Sequence, residues 1–102
     1  LYCLRRGDAR RTAAFLSCAQ DIAADGAFSL GMLADFRGPL ERHGPAMYRR
    51  LFWETGAIGQ VLYLEAEALG ISGTGIGCFF DDVVHELLGL TGDTFQSLYH
   101  FT

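Results

Sequence analysis

No lysine occurs in this chain of 102 residues, and no arginine follows Arg50. Eight arginines and five acids leave the first fifty residues at +3, whereas Glu54, Glu65, Glu67, Asp81, Asp82, Glu86 and Asp93 leave the rest at −7. An acidic second half disfavours a nucleic-acid surface there. The arginines of the first half read as solvated helix faces, with acid pairing or an anion as the alternatives. Cysteine is scarce: Cys3, Cys18 and Cys78 are odd in number and form no Cys-x-x-Cys. That spacing argues against a disulfide framework and a zinc site, and the expectation is a reducing, cytoplasmic compartment. His43, His85 and His100 are isolated, so no metal site is expected. No run approaches the roughly 18 to 20 apolar residues of a membrane span, and no signal peptide is visible. With half its residues hydrophobic and 13% aromatic, the chain is globular. Its length suits one small domain. It opens at Leu1 without methionine and stops inside an alternating run, so both ends read as cut from a larger fold.

Periodicity divides the chain. Residues 8–24 read as a helix capped by Asp8, with Phe15, Ala19, Ile22 and Ala23 at helical spacing and Gly26 as its stop. Residues 27–35 alternate as a strand. Phe28, Leu30, Met32 and Ala34 form a bulky face; Ala27, Ser29 and Gly31 form a thin one that lets a helix or ligand approach closely. RGPLERHGP reads as a turn-rich connector. A long helix then spans 46–69, with Pro45 at its entry and Gly70 at its stop. On a helical wheel Ala57, Ile58, Val61, Leu62, Leu64, Ala68 and Leu69 fill an arc of roughly 160°. The opposite arc holds Gly56, Gly59, Gln60, Tyr63, Ala66 and Glu67. Two interior glycines each cost on the order of 1 kcal/mol against alanine, so another backbone is expected against that face. Glu65 falls within the apolar arc, where the plain reading is a rim position or an arginine partner and the sharper one is catalysis. A glycine loop covers 70–80, a short helix 82–88 follows with Asp81 or Asp82 as cap, and a strand covers 95–102. In that strand Phe95, Ser97, Tyr99 and Phe101 alternate against Gln96, Leu98 and His100. Helices and strands in this order make an α+β or α/β layered domain.

The loop raises the functional question. Gly73, Gly75 and Gly77 alternate with Thr74 and Ile76. GTGIG is not a Walker loop, since no Gly-Lys-Ser/Thr follows, and it follows a helix where a dinucleotide fingerprint follows a strand. With no cation nearby, a phosphate is a poor occupant. A neutral planar ring accepting hydrogen bonds from backbone N–H groups suits it better; a plain turn is the alternative. Cys78 invites a nucleophile reading, but no histidine neighbours it at a known spacing, and a small buried hydrophobe is the plain reading. Trp53, Phe52, Phe79 and Phe80 read as core or interface, with Phe79 or Phe80 beside a ring as second choice.

The run YRRLFWETGAIGQVLYLEAEALGISGTGIGCFFDDVVHELLGL, followed by QSLYHFT, resembles the C-terminal half of nitroreductase-family flavoproteins, closest to the SagB-type or thiazoline/oxazoline dehydrogenase-like group. The resemblance rests on order: a Tyr-Arg helix entry, Gly-x-x-Gly-Gln, Ala-Leu-Gly, the TGIG loop, Phe-x-Asp, Leu-Leu-Gly-Leu and a last strand. It implies an α+β sandwich in which two subunits intertwine as a homodimer, the helix 46–69 packing against its twin. It implies FMN at the subunit interface, with main-chain amides of Thr74, Gly75, Ile76, Gly77 and Cys78 along the ring. Hydride would pass through flavin N5, and fixed backbone dipoles meet the charge that develops there. The implied substrate is a small molecule or modified peptide, such as an azoline, quinone or nitro compound, with no nucleic acid, membrane or metal involved. No catalytic side chain is assigned. The family's phosphate clamp is an arginine-rich N-terminal motif plus a basic residue after the last strand. LRRGDARR does not match its spacing, so that role is not carried onto Arg5, Arg6, Arg10 or Arg11; the lysine-tyrosine pair of azoline oxidation is missing too. The alternative function is a non-catalytic dimerisation or binding module that keeps the half-fold without flavin.

Overall fold

A computed structural model describes residues 2–102. The elements, in chain order, are α1 Arg10–Leu16, α2 Ile22–Asp25, β1 Leu30–Asp35, α3 Arg37–His43, α4 Met47–Ala68, β2 Gly75–Ile76, α5 Asp81–Leu88 and β3 Phe95–Phe101. The sheet is antiparallel in the order β1-β3-β2, so the last strand is the central one. Helix α4 lies on one face of β3, where Tyr99 and Phe101 point. On the other face are α5, α1 and α2, where His100 points.

Several elements differ from the sequence reading. The helix expected over 8–24 is two helices, because Cys18 and Ala19 sit at φ 55° and 57°. Left-handed residues end the i→i−4 ladder, at roughly 1–2 kcal/mol each. Asp8 is not the cap residue, but its carboxylate accepts the Arg10 N–H at 3.0 Å and so serves the first turn. The connector RGPLERHGP is largely helical: Pro39 lies in the first turn of α3, where its missing N–H costs no ladder bond, and Gly44 at φ 79° ends it. Asp81 and Asp82 stand in the first turn of α5 rather than at its cap, where their charge still favours the helix N-terminus. Helices α4 and α5 both close on a left-handed glycine. Ile71 N–H reaches the Ala66 carbonyl past Gly70, and Leu90 N–H reaches that of His85 past Gly89.

The greatest departure concerns α4. Leu51, Thr55, Gly59 and Ala66, spaced near i+4, are its buried residues. The thin arc, not the greasy one, meets the sheet. The greasy arc faces outward, with Ile58, Val61, Leu64 and Leu69 all at least half exposed, and Glu65 is exposed among them with no arginine partner among the described residues. Gly59 is met by the Tyr99 ring, whose Cε1 lies 2.6 Å from where a Cβ would sit, rather than by another backbone.

Strand β3 also breaks strict alternation. Met32 pairs with Tyr99 and Leu33 with Ser97, so Leu98 is an extra residue opposite no partner. The bulge rotates the strand, and Ser97 Oγ comes to lie 3.0 Å from His100 Nε2, on the face opposite Tyr99. On that face the thin side of the 27–35 segment borders a cavity of about 430 Å³, with Leu16, Val84 and Leu87 across from Ala27, Ser29 and Gly31.

Candidate functional site

The glycine loop is not bare for one reason throughout. Gly73 is glycine because the Phe101 ring fills its Cβ position, with Cζ at 2.6 Å. Gly75 is glycine because the Tyr99 hydroxyl occupies its Cβ position and the Tyr63 hydroxyl lies 3.3 Å from it. Gly77 alone of the three has, among the described residues other than its chain neighbours, no atom within 4 Å of that position, and its φ is not left-handed. No packing among the described residues calls for its bareness.

The amides divide in the same way. Thr74 N–H donates to the Thr102 carbonyl at 2.8 Å, and the Thr102 N–H returns the bond at 2.9 Å. Gly75 then points away from the ladder, and its N–H donates to the Tyr63 hydroxyl at 2.7 Å. Ile76 stands opposite His100 in the ladder and is buried. By the alternation of an antiparallel pair, Gly77 turns its N–H outward from the sheet edge. Among the described residues neither Gly77 N–H nor Cys78 N–H has a hydrogen-bond partner, and both residues are exposed. Of the five residues expected to line a ring, Thr74, Gly75 and Ile76 thus form the built wall. Gly77 and Cys78 carry the donors still available.

The wall is held from two sides. Tyr63 of α4 packs edge-on against Phe101, centroids 5.0 Å apart, and fixes the hydroxyl that accepts from Gly75. Burial, with Tyr63 beside it, pushes the Tyr99 phenol up. At the far end Cys78 is bonded to Cys18, whose Cα is 5.8 Å away and 60 residues distant in sequence. This corrects the reading of the cysteines as unpaired and of Cys78 as a buried hydrophobe. Odd cysteine counts do not exclude one bridge, and only the fold brings the turn after α1 to the loop. Closing so long a loop contributes roughly 4 kcal/mol in the chain-entropy account, which offsets the left-handed cost at Cys18 and Ala19. Gln20 Nε2 reaches the carbonyls of Ser17 (2.8 Å) and Cys78 (3.3 Å), and Phe80 N–H donates to the Leu16 carbonyl at 2.8 Å. The Ser17 hydroxyl is buried without a partner.

Phe79 stacks on His100 at 4.2 Å with planes 2° apart, and the bare Cα of Gly31 faces the other side of the imidazole. Phe80 stays partly exposed against Phe15. Ser97 N–H donates to His85 Nε2 at 3.3 Å, and Gln96 donates to Asp81 at 3.0 Å. Burial holds the His100 pKa below its ordinary 6.5, with the Asp81 charge opposing. The unfolded chain therefore takes up a proton at pH values where the folded one does not. Stability is expected to fall as pH drops through about 6.5 and to be unaffected by this group well above that value. Urea midpoints measured from about pH 7.5 to about pH 5.5 check this, and His100→Gln should flatten the slope.

Among the described residues no group of three His, Cys, Asp or Glu side chains is placed to hold a metal ion, and no helix is long and apolar enough to cross a membrane. Comparison with curated proteins gave no match. One crystal structure, of an Anabaena variabilis ATCC 29413 protein assigned as a nitroreductase, is similar at a TM-score of 0.87 and 33% identity. The match covers 97% of this chain and 20% of that one, so the chain spans a fifth of the length of the protein it matches. The model of the nitroreductase family matches residues 4–102, from ahead of α1 through β3, and the wall and open amides of the loop lie within that span. The chain belongs to the nitroreductase family.

Proposed function

We propose that this chain supplies the ring-facing loop of an FMN-dependent oxidoreductase, closest to the SagB-type or thiazoline/oxazoline dehydrogenase-like group. One observation carries the reading. Among the described residues Gly77 has neither a hydrogen-bond partner nor a steric neighbour beyond those adjacent in the chain, and it stands next to a wall braced by two tyrosines. The residues fit the ring portion of a flavin. Gly77 offers an outward N–H to a ring edge, the Cys78 N–H beside it is unbonded among the described residues, and the missing Cβ of Gly77 leaves room for a planar face. They do not supply a phosphate clamp, since no arginine or lysine follows Arg50. The bound flavin would accept and return hydride. This chain's part is to orient the ring, to hold Gly77 rigidly through the Thr74–Thr102 pair and the Tyr63 hydroxyl, and to present dipoles that need no reorganisation.

The outward arc of α4 supports a homodimer through that helix. Trp53 is 65% exposed, Val61 56% and Leu64 60%, and an apolar stripe of that length on a surface calls for cover. A small-molecule or modified-peptide substrate and a cytoplasmic location complete the reading, the latter requiring the Cys18–Cys78 bond to open in that reducing compartment. The same stripe would equally serve the second reading, a dimerisation module without flavin.

Colour and mass separate the two. The full-length protein is expected to purify as a yellow dimer that releases FMN on denaturation. Gly77→Val should lose the flavin, at least about tenfold in retained stoichiometry, while its circular dichroism and dimer mass stay unchanged. A colourless dimer that stays colourless after FMN is added would establish the second reading. Full flavin retention in Gly77→Val would place the ring elsewhere.

A further inference from the structure

The Cys18–Cys78 pair has features that a purely structural staple does not need. Cys78 is exposed at the sheet edge and Cys18 is only half-buried, so the pair lies at the surface and not in the core. The bond closes on two consecutive left-handed residues, Cys18 and Ala19, neither of which is glycine or asparagine. Ser17 next to them keeps a buried hydroxyl without a partner. Apart from the bond itself, the turn is joined to the loop by Gln20, whose amide is shared between Ser17 and Cys78, and by the single Phe80–Leu16 backbone bond. Disulfides that are exposed and close on unfavourable backbone are the ones that exchange.

We propose that Cys18–Cys78 is a thiol-exchange site for a low-molecular-weight thiol, and that its opening releases the turn 17–21 from the loop 77–80. The thiolate of the incoming molecule attacks Sγ of Cys78, the more exposed of the two residues. The Cys18–Cys78 bond breaks, and Cys18 leaves as a thiolate that takes a proton from water. A second thiol then attacks the mixed disulfide, leaving Cys78 as a thiol and the small molecule as its own disulfide. Two electrons and two protons pass from two small thiols to the protein pair. The two-residue left-handed turn then has no covalent reason to persist. The loop end at Gly77 and Cys78 keeps the Thr74–Thr102 pair and the Tyr63 bond on one side and the Phe80 bond on the other. It is therefore the loop's outer end that loosens, not the sheet. This does not depend on which molecule, if any, occupies the loop.

The test uses the full chain in glutathione buffers of increasing reduced fraction, without denaturant and without added flavin. A Cys3→Ser background is used because Cys3 is an exposed free thiol. Acid quenching, alkylation and peptide mass spectrometry count the open bonds, and amide hydrogen exchange reports the backbone. Expected are a mixed glutathione disulfide on Cys78, full opening within the range of such buffers, and amide exchange faster by about tenfold or more at Gln20 and Ala23, whose N–H groups are bonded within the turn, with 95–102 unchanged. A bond that stays closed in reduced glutathione overturns the proposal. So does a bond that opens while exchange at Gln20 and Ala23 stays as it was. Cys18→Ala, which fixes the open state without any reagent, should show the same local exchange pattern; protection equal to the bonded protein's would also overturn it.

Discussion

Gly75→Ala is expected to lower the stability of the chain by about 2–3 kcal/mol and Gly75→Val by more, a large part of the roughly 5–15 kcal/mol available to a domain of this size. The new Cβ falls on the Tyr99 hydroxyl, with the Tyr63 hydroxyl 3.3 Å away. Tyr99 cannot swing clear toward α4, because its ring edge already stands where a Gly59 side chain would begin, 2.6 Å from that point. The phenol is therefore clamped between two glycines 16 residues apart, one on a helix and one on an edge strand. Thermal unfolding followed by circular dichroism should show Gly75→Ala melting about 10 °C or more below the parent. Tyr99→Phe supplies the control. Removing the hydroxyl relieves the closest of the contacts and leaves Cζ at 2.6 Å, so the double variant Gly75→Ala/Tyr99→Phe should lose less than the sum of the single losses while staying below the parent. A Gly75→Ala protein melting within a few degrees of the parent would show that the ring is not clamped. The contrast with Gly77→Val, expected to fold normally, separates the two kinds of glycine in the loop.

That contrast marks how far the sequence could be read. The order helix, strand, long helix, loop, short helix, strand follows from hydrophobic period and glycine punctuation, and these signals are local. The α+β nitroreductase-like class followed from the order of motifs after Tyr48, and both the family match and the similar structure agree with it. What stayed hidden was long-range. A wheel shows that α4 has a greasy arc and a thin arc, but not which one meets its own sheet. Tyr99 and Phe101 are large enough to fill a thin face from across the layer, and this reverses the usual choice. The break at Cys18 and Ala19 was invisible because neither residue favours the left-handed region; a bond to a cysteine 60 positions away accompanies it. The bulge at Leu98 left no mark either, since an extra residue in one strand is defined only by its partner. In the loop, three glycines looked equivalent because sequence does not show which of them face aromatic rings.

Phe101→Ala is expected to cost about 3–5 kcal/mol, and the reason reaches from the core to the loop. Phe101 is 2% exposed. Its ring stands edge-on to Tyr63 and fills the Cβ position of Gly73, with Ala66 of α4 behind that glycine. Truncation leaves a void bounded by α4, β3 and the start of the loop, a junction that cannot collapse without moving the Thr74–Thr102 pair. Tyr63 loses the ring that orients it, so the hydroxyl accepting from Gly75 is no longer fixed. Two measurements follow from this one change. Urea unfolding should show the lost stability as a lower midpoint at unchanged m-value, and hydrogen exchange should show the Gly75 amide losing protection beyond what global destabilisation explains. Phe101→Leu, which keeps part of the volume, should recover part of the stability. Placing alanine at Gly73 in the Phe101→Ala background should be neutral or favourable, whereas in the parent it meets the ring. If Gly73→Ala were as harmful without the Phe101 ring as with it, the glycine would be answering to backbone conformation, and the packing account of the loop would fall with it.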